Sequence, residues 1–418
     1  MKTKNIISQS SIKYDKNIAI RLLVTPYQNK RLPVYDWYSY KHSFSRDLVI
    51  KLIEENHLNG EDKILDPFCG SGTTLLASKE IGIPVQGIDI LPLSVLISNA
   101  KLLRYNERHI ETAINEIENL LEENNTDPIF NKTKKELLIN CFREDILDKI
   151  LFIREWIERK DDKETRYFLL TALLSILEDV SYTRKDGGFL RILKEKKISD
   201  LKSVYVSKLH NMVKDIEFIN NLPLDIDAEA IEGDARKTMF EPTSFSAVIT
   251  SPPYPNRHDY TRVYLLELVT GFIDTQEELK NLRYWSLQSH VEARRKFIAQ
   301  DYNPPSTLNA ILERLEGISL PNRQIIKMLE GYFEDMYLVL KEIKRVLKSN
   351  GKVAFIIGDV RYGGVMVPVG DILIEIGNNT GLEFKEKIMA RIRGNSPQQM
   401  KRYGKEPMEE NILIWENK

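Results

Sequence analysis

Two short stretches hold residue types whose spacing bears on chemistry. In "FSAVITSPPYP" an apolar run ends at Thr250, and Ser251, Pro252, Pro253 and Tyr254 follow. Both prolines lack a backbone N–H and fix their φ angles, so the chain leaves a strand there in a rigid, extended conformation suited to holding something at the strand end. In "KILDPFCGSGTT" a short strand runs into Gly70 and Gly72, which let the backbone approach a ligand closely, and Thr73 or Thr74 stands where the next helix needs a cap. A GxG turn is by itself a weak signal. Asp89 strengthens it, because it closes the following strand, "PVQGID", where an acidic side chain of a doubly wound fold accepts hydrogen bonds from ribose hydroxyls. The turn lacks the third glycine of a dinucleotide fingerprint and no GK[ST] follows, so a cofactor with a ribose and no phosphates fits it best. Asp234, in "IEGDARK", ends a third strand, where it either faces an adenine amino group or caps the next turn.

The other reactive residue types exclude more than they offer. Two cysteines, Cys69 and Cys141, and six histidines form no CxxC pair and no HExxH motif, so no disulfide framework and no metal site are expected. Cys69 in the glycine turn and Cys141 at an apolar helical position read as packing residues. The net charge of −1 conceals two basic stretches, "SYTRKDGGFLR" and "ARIRGNSPQQMKRYGK". Clustered cations, rather than overall charge, signal a nucleic-acid partner. The opening segment "MKTKNIISQSSIKYDKNIAIRLLV" has no apolar signal-peptide core and "YFLLTALLSIL" is too short to span a bilayer, so a cytoplasmic protein without membrane association is expected.

"DPFCGSGTT" followed later by "TSPPY" resembles the DNA amino-methyltransferases, which transfer a methyl group from S-adenosylmethionine to an exocyclic nitrogen, and is most similar to their N4-cytosine type, with a serine before the proline pair. "YDWYSYKHSFSRDLVIKLI" looks like that family's upstream cofactor segment, "GIDI" like its ribose-binding strand end, and "GDV" at 358–360 like a later strand of the same core. The resemblance implies that Asp66, Pro67, Phe68, Gly70, Gly72 and Thr73 surround the methionine and sulfonium end of the cofactor, with Phe44 and Ser45 flanking it. Asp89 with Ile90, and Asp234 with Ala235, would hold ribose and adenine.

The same resemblance places catalysis on Ser251, Pro252, Pro253 and Tyr254. An aromatic exocyclic amine is a poor nucleophile because its lone pair is delocalised into the ring; fixed acceptors such as Ser251 Oγ and the Pro252 carbonyl draw the nitrogen toward tetrahedral geometry. Tyr254 is expected to stack on the base once it has left the duplex. The implied partner is double-stranded DNA, and a cognate restriction endonuclease in a restriction–modification or similar defence pair is expected. Arg184, Lys185, Arg191, Arg257, Arg393, Lys401 and Arg402 are expected to meet DNA phosphates, and Asn395, Gln398 and Gln399 base edges or backbone. An N6-adenine enzyme, an RNA amino-methyltransferase and a catalytically silent DNA-binding subunit stay open as alternatives.

These residues need a sheet to position them. Strand, glycine turn, helix and strand over 61–90 make a parallel crossover unit, and strands resume at "AEAIEGD", "FSAVITSPP" and "KVAFIIGD". With the resemblance, this predicts an α/β class I methyltransferase fold, Rossmann-like, whose mixed sheet ends in an antiparallel hairpin of "FKEKIMARIRG" and "ENILIWEN". The expected catalytic domain comprises 21–100, 226–270 and 331–418. Residues 101–225, with apolar residues at three-to-four spacing, read as a helical insertion that includes a Gly-Gly hinge between helices at 187–188. Residues 271–330 read as an irregular, polar insertion and a second candidate for DNA recognition.

Overall fold

The computed structural model describes residues 19–40, 42–122, 132–394, 404 and 406–418. The apolar runs become strands β1 (Ile64–Asp66), β2 (Val85–Asp89), β3 (Thr183–Asp186), β4 (Phe189–Ile192), β5 (Ala228–Glu232), β6 (Phe245–Thr250), β7 (Leu347–Gly358), β8 (Val360–Tyr362), β9 (Val365–Val367), β10 (Leu382–Gly394) and β11 (Pro407–Asn417). Seven of them form one sheet in the order β10-β11-β7-β6-β1-β2-β5. From β5 to β7 all neighbours are parallel. β11 is antiparallel to both β7 and β10, between which it lies. The chain builds outward from β1 through β2 to β5, then returns to β6 on the other side of β1, so the strand order reverses at the β1–β6 boundary. A crevice at the carboxyl ends of the strands is the consequence of such a reversal.

The sheet is covered on both faces, so its strands are nearly continuous apolar runs; all six residues of β6 are buried. Alternate side chains feed two separate cores, as the two-residue period of a strand requires. Ile64, Ala247, Ile249, Ala354, Ile356 and Ile412 join one cluster, and Leu65, Val248, Val353, Phe355, Ile357 and Leu413 the other. The 23-residue helix Gln324–Val346 fills the second cluster with Leu329, Tyr332, Phe333, Met336 and Leu340 before leading into β7. The first cluster holds the helices Thr73–Glu80 and Pro92–Ala100, the latter opened by a proline in its first turn.

The helices of 107–220 share that first cluster through Ile114, Ile150, Phe168, Leu173 and Tyr205. "YFLLTALLSIL" lies largely in the helix Lys163–Ile176, whose Phe168, Leu169, Leu173 and Leu174 are buried in protein. Among the described residues no helix is long and apolar enough to cross a membrane. Two local expectations are corrected. Residues 187–188 are the two-residue turn of the β3–β4 hairpin rather than a hinge between helices. Residues 271–330 contain the helices Gln276–Trp285, opened by a Thr275/Glu278 capping box, and Ser306–Glu316. The helix after the proline pair is broken at Tyr264 into Tyr260–Val263 and Leu265–Gly271.

Candidate active site

The carboxyl ends of β1, β2, β5 and β6 surround a cleft of about 800 Å3, its open mouth included, at the point where the strand order reverses. Of the residues expected there, Pro67, Phe68, Gly70, Asp89, Ile90, Asp234, Ala235, Ser251 and Pro253 line its wall. Gly70 and Gly72 adopt φ angles of 50° and 75°, and a Cβ on Gly72 would stand 2.8 Å from Ser98 Oγ. The turn therefore requires glycine for conformation and for space. Asp89 closes it: Oδ2 accepts from the Gly70 N–H at 3.0 Å and Oδ1 from the Leu91 N–H at 2.9 Å. Burial raises its pKa to about 6.

Asp66, Phe44, Ser45, Gly72, Thr73 and Pro252 stand behind this wall rather than on it. Asp66 is 1% exposed, and its Oδ1 accepts from Thr250 Oγ1 at 2.6 Å and from the Phe68 N–H at 3.1 Å, which ties the end of β1 to the end of β6. Its pKa is also raised by burial to about 6. Ser45 caps the helix Arg46–Glu55 by accepting from the Leu48 N–H, and Thr73 Oγ1 shares a 2.9 Å hydrogen bond with Ser43 Oγ. These residues shape the turn from beneath.

Asp234 is held in place by cations. Arg236 donates to it from Nε and Nη2, both at 2.9 Å, and Lys296 Nζ donates at 3.0 Å. Although burial opposes ionisation, these cations keep its carboxyl below the usual value. Arg236 also reaches Asp335 and the Trp285 carbonyl. Ser251 Oγ donates its proton to the Ile356 carbonyl at 3.0 Å. Toward the cleft that oxygen is left as an acceptor only.

Tyr254 does not reach the cleft wall. Its hydroxyl donates to Glu410 at 3.0 Å, its ring packs beside Gly358, and the Arg393 guanidinium lies 5.6 Å from the ring centre. The tyrosine rings on the wall are Tyr40 and Tyr260, which flank Tyr264 in near-parallel stacks at 4.9 and 6.5 Å. Sequence reasoning missed His42, Thr261, Ser286, Leu287, Ser289 and His290. The segment 286–290 is drawn in by the Gln288 N–H donating to Asp335 and the Arg257 N–H donating to the Ser289 carbonyl, both at 3.0 Å. Its only signal was the string "SLQSHV" inside a polar region.

The expected DNA contacts divide. Arg184 and Arg191 are exposed on the β3–β4 hairpin, Arg191 paired with Asp186 at 2.8 Å. Lys185 is corrected: its ammonium is buried against Glu267, with the Tyr38 hydroxyl donating to the same carboxylate, so no phosphate can reach it. Arg257 is half-buried at φ 67°, and Arg393 lies between Tyr254 and Glu410. Asn395, Gln398, Gln399, Lys401 and Arg402 lie outside the described residues.

The sheet order, the glycine turn and the acid ending β2 define a class I S-adenosylmethionine-dependent methyltransferase. The cleft fits that cofactor: a Cβ-free turn, a carboxylate for ribose hydroxyls, and apolar Ile90, Ala235 and Leu287 for a purine. Comparison narrows the class. A family model described as DNA methylase matches residues 9–99. The type II methyltransferase M.BsoBI of Geobacillus stearothermophilus is 32% identical, covering 95% of this chain and 88% of its own. M.AvaI of Nostoc sp. is 30% identical over 94% and 89%, and M.MvaI of Kocuria varians 23% over 75% and 74%. The chain belongs to the type II DNA methyltransferases, S-adenosylmethionine-dependent amino-methyltransferases of the restriction–modification kind.

Proposed function

We propose that the protein methylates the exocyclic N4 amine of a cytosine extruded from duplex DNA, as the modification partner of a cognate restriction endonuclease. The observation that carries this reading is the hydrogen bond from Ser251, a residue of the cleft wall, to Ile356, which commits its proton and leaves Ser251 Oγ as a neutral acceptor. An amine brings donors to that acceptor. Accepting an N–H at Ser251 pulls the nitrogen lone pair out of conjugation with the ring, and a neutral hydroxyl does this without removing a proton before attack. Bound S-adenosylmethionine supplies an electrophilic sulfonium methyl. Gly70, Asp89, Ile90, Asp234 and Ala235 would hold it, with Asp66 and Thr73 supporting the turn from behind. Arg184, Arg191, Arg257 and Arg393 would meet phosphates, and Tyr40 and Tyr260 offer the faces against which an extruded base can stack.

Digestion of DNA methylated in vitro, followed by nucleoside mass spectrometry, is expected to yield N4-methylcytosine; N6-methyladenine as the sole product would move the target to adenine. Ser251→Ala should slow methyl transfer by roughly 10- to 1000-fold, the loss of one transition-state hydrogen bond. Calorimetry should show cofactor affinity unchanged. A comparable loss of cofactor binding would assign Ser251 to the cofactor instead.

A further inference from the structure

The β3–β4 hairpin combines features that neither cofactor binding nor methyl transfer uses. Its inner face is fastened down: the buried Lys185–Glu267 ion pair joins it to the helix Leu265–Gly271, and the Lys185 N–H donates to Glu178 at 3.2 Å. Its turn lies against the wall of the active-site cleft. A Cβ on Gly188 would stand 3.2 Å from His258 Nδ1, and the His258 ring lies 4.2 Å from His42 and 5.4 Å from Tyr260, both on that wall. The residue after Gly188 is Phe189, 52% exposed on this fastened hairpin.

Strand register puts Phe189 opposite Asp186, on the same face as Arg184 and Arg191, which oppose each other directly. Like charges directly opposite destabilise a strand pair. Asp186 answers only one of them, so the face carries an excess positive charge around an exposed aromatic ring. A polyanion with an apolar interior is its complement, and duplex DNA is that ligand: phosphates for the arginines, stacked bases for the ring. We propose that Phe189 enters the base stack and occupies the space left when the target base moves into the cleft. Apolar side chains are known to wedge between base steps in this manner, and an extruded base leaves a vacancy for such a ring to fill. The inference rests on the proposed extrusion of the target base.

The test uses the full chain and a duplex carrying the methylated site found by sequencing, with 2-aminopurine at the target position. Saturating wild-type protein should raise its fluorescence as the base leaves the stack. Phe189→Ala should abolish most of that rise and weaken duplex affinity roughly 10- to 100-fold, as loss of one base–aromatic stack predicts, while cofactor affinity by calorimetry stays unchanged. Phe189→Trp should keep the rise. Arg184→Ala with Arg191→Ala should lower affinity and flatten its salt dependence, yet leave fluorescence at saturation intact. Wild-type fluorescence and affinity in Phe189→Ala would overturn the inference. Absence of any rise with the wild-type protein bound to this probe, when it methylates the same duplex carrying the natural target base, would overturn extrusion itself, and is seen before any variant is made.

Discussion

Asp66 and Asp89 are both raised to about 6 by burial, yet their positions make opposite demands. Between the ordinary value of 3.8 and about 6 the folded protein binds more protons at Asp66 than the unfolded chain does, so this residue's contribution to stability falls as pH rises through that window. The hydrogen bonds from Thr250 and the Phe68 N–H end on one oxygen, which an amide can reproduce. Asp66→Asn should therefore raise the melting temperature at pH 7.5, with the gain shrinking toward pH 4 in thermal unfolding. In the proposed site Asp89 would need its charge, because ribose hydroxyls would donate to it. S-adenosylmethionine affinity should fall as pH drops through about 6, and Asp89→Ala should cost about 1.5–3 kcal/mol at pH 7.5 by calorimetry, with a smaller difference at pH 5. Asp89 was legible in the sequence because a strand end and a fixed spacing suffice to place it. Tyr254 was not: whether it faces the cleft depends on Gly358, against whose Cβ position its ring lies at 2.8 Å, and on Glu410, 156 residues away.

At the scale of elements, the hairpin shows how a buried charge misleads. Lys185 sits in a run of cations and reads as a phosphate ligand, but alternation along β3 turns it inward with Thr183 while Arg184 and Asp186 point out. Only the partner, Glu267 on a distant helix, reveals this. Lys185→Met should leave that carboxylate buried without its counter-ion, at a cost of about 3–5 kcal/mol in denaturant unfolding. Replacing Glu267 with Leu in the same protein should recover part of it, because the two apolar side chains need no partner while the Tyr38 hydroxyl loses its acceptor. A hairpin held at the surface only by its own strands would show no such loss. The capping box at Thr275 and the helix it opens were equally legible in principle, since Thr275 and Glu278 stand three residues apart ahead of Leu279.

For the molecule as a whole, the sequence disclosed the parallel half and the terminal hairpin, because apolar runs with turn residues between them specify strands directly. It did not disclose that the helices of 107–220 share a core with the sheet, nor that 286–290 enters the cleft, because both depend on contacts between distant segments. The antiparallel strand between β7 and β10 has a further consequence during synthesis. Until residues 407–417 emerge from the ribosome, β10 has no neighbour and β7 presents an open edge that includes Phe355, Ile356 and Ile357. An unpaired apolar edge recruits other chains. The strand that completes the sheet is thus also the stopper that keeps the chain from joining its neighbours, and loss of residues 407–417 should appear as aggregation rather than as a milder loss of activity.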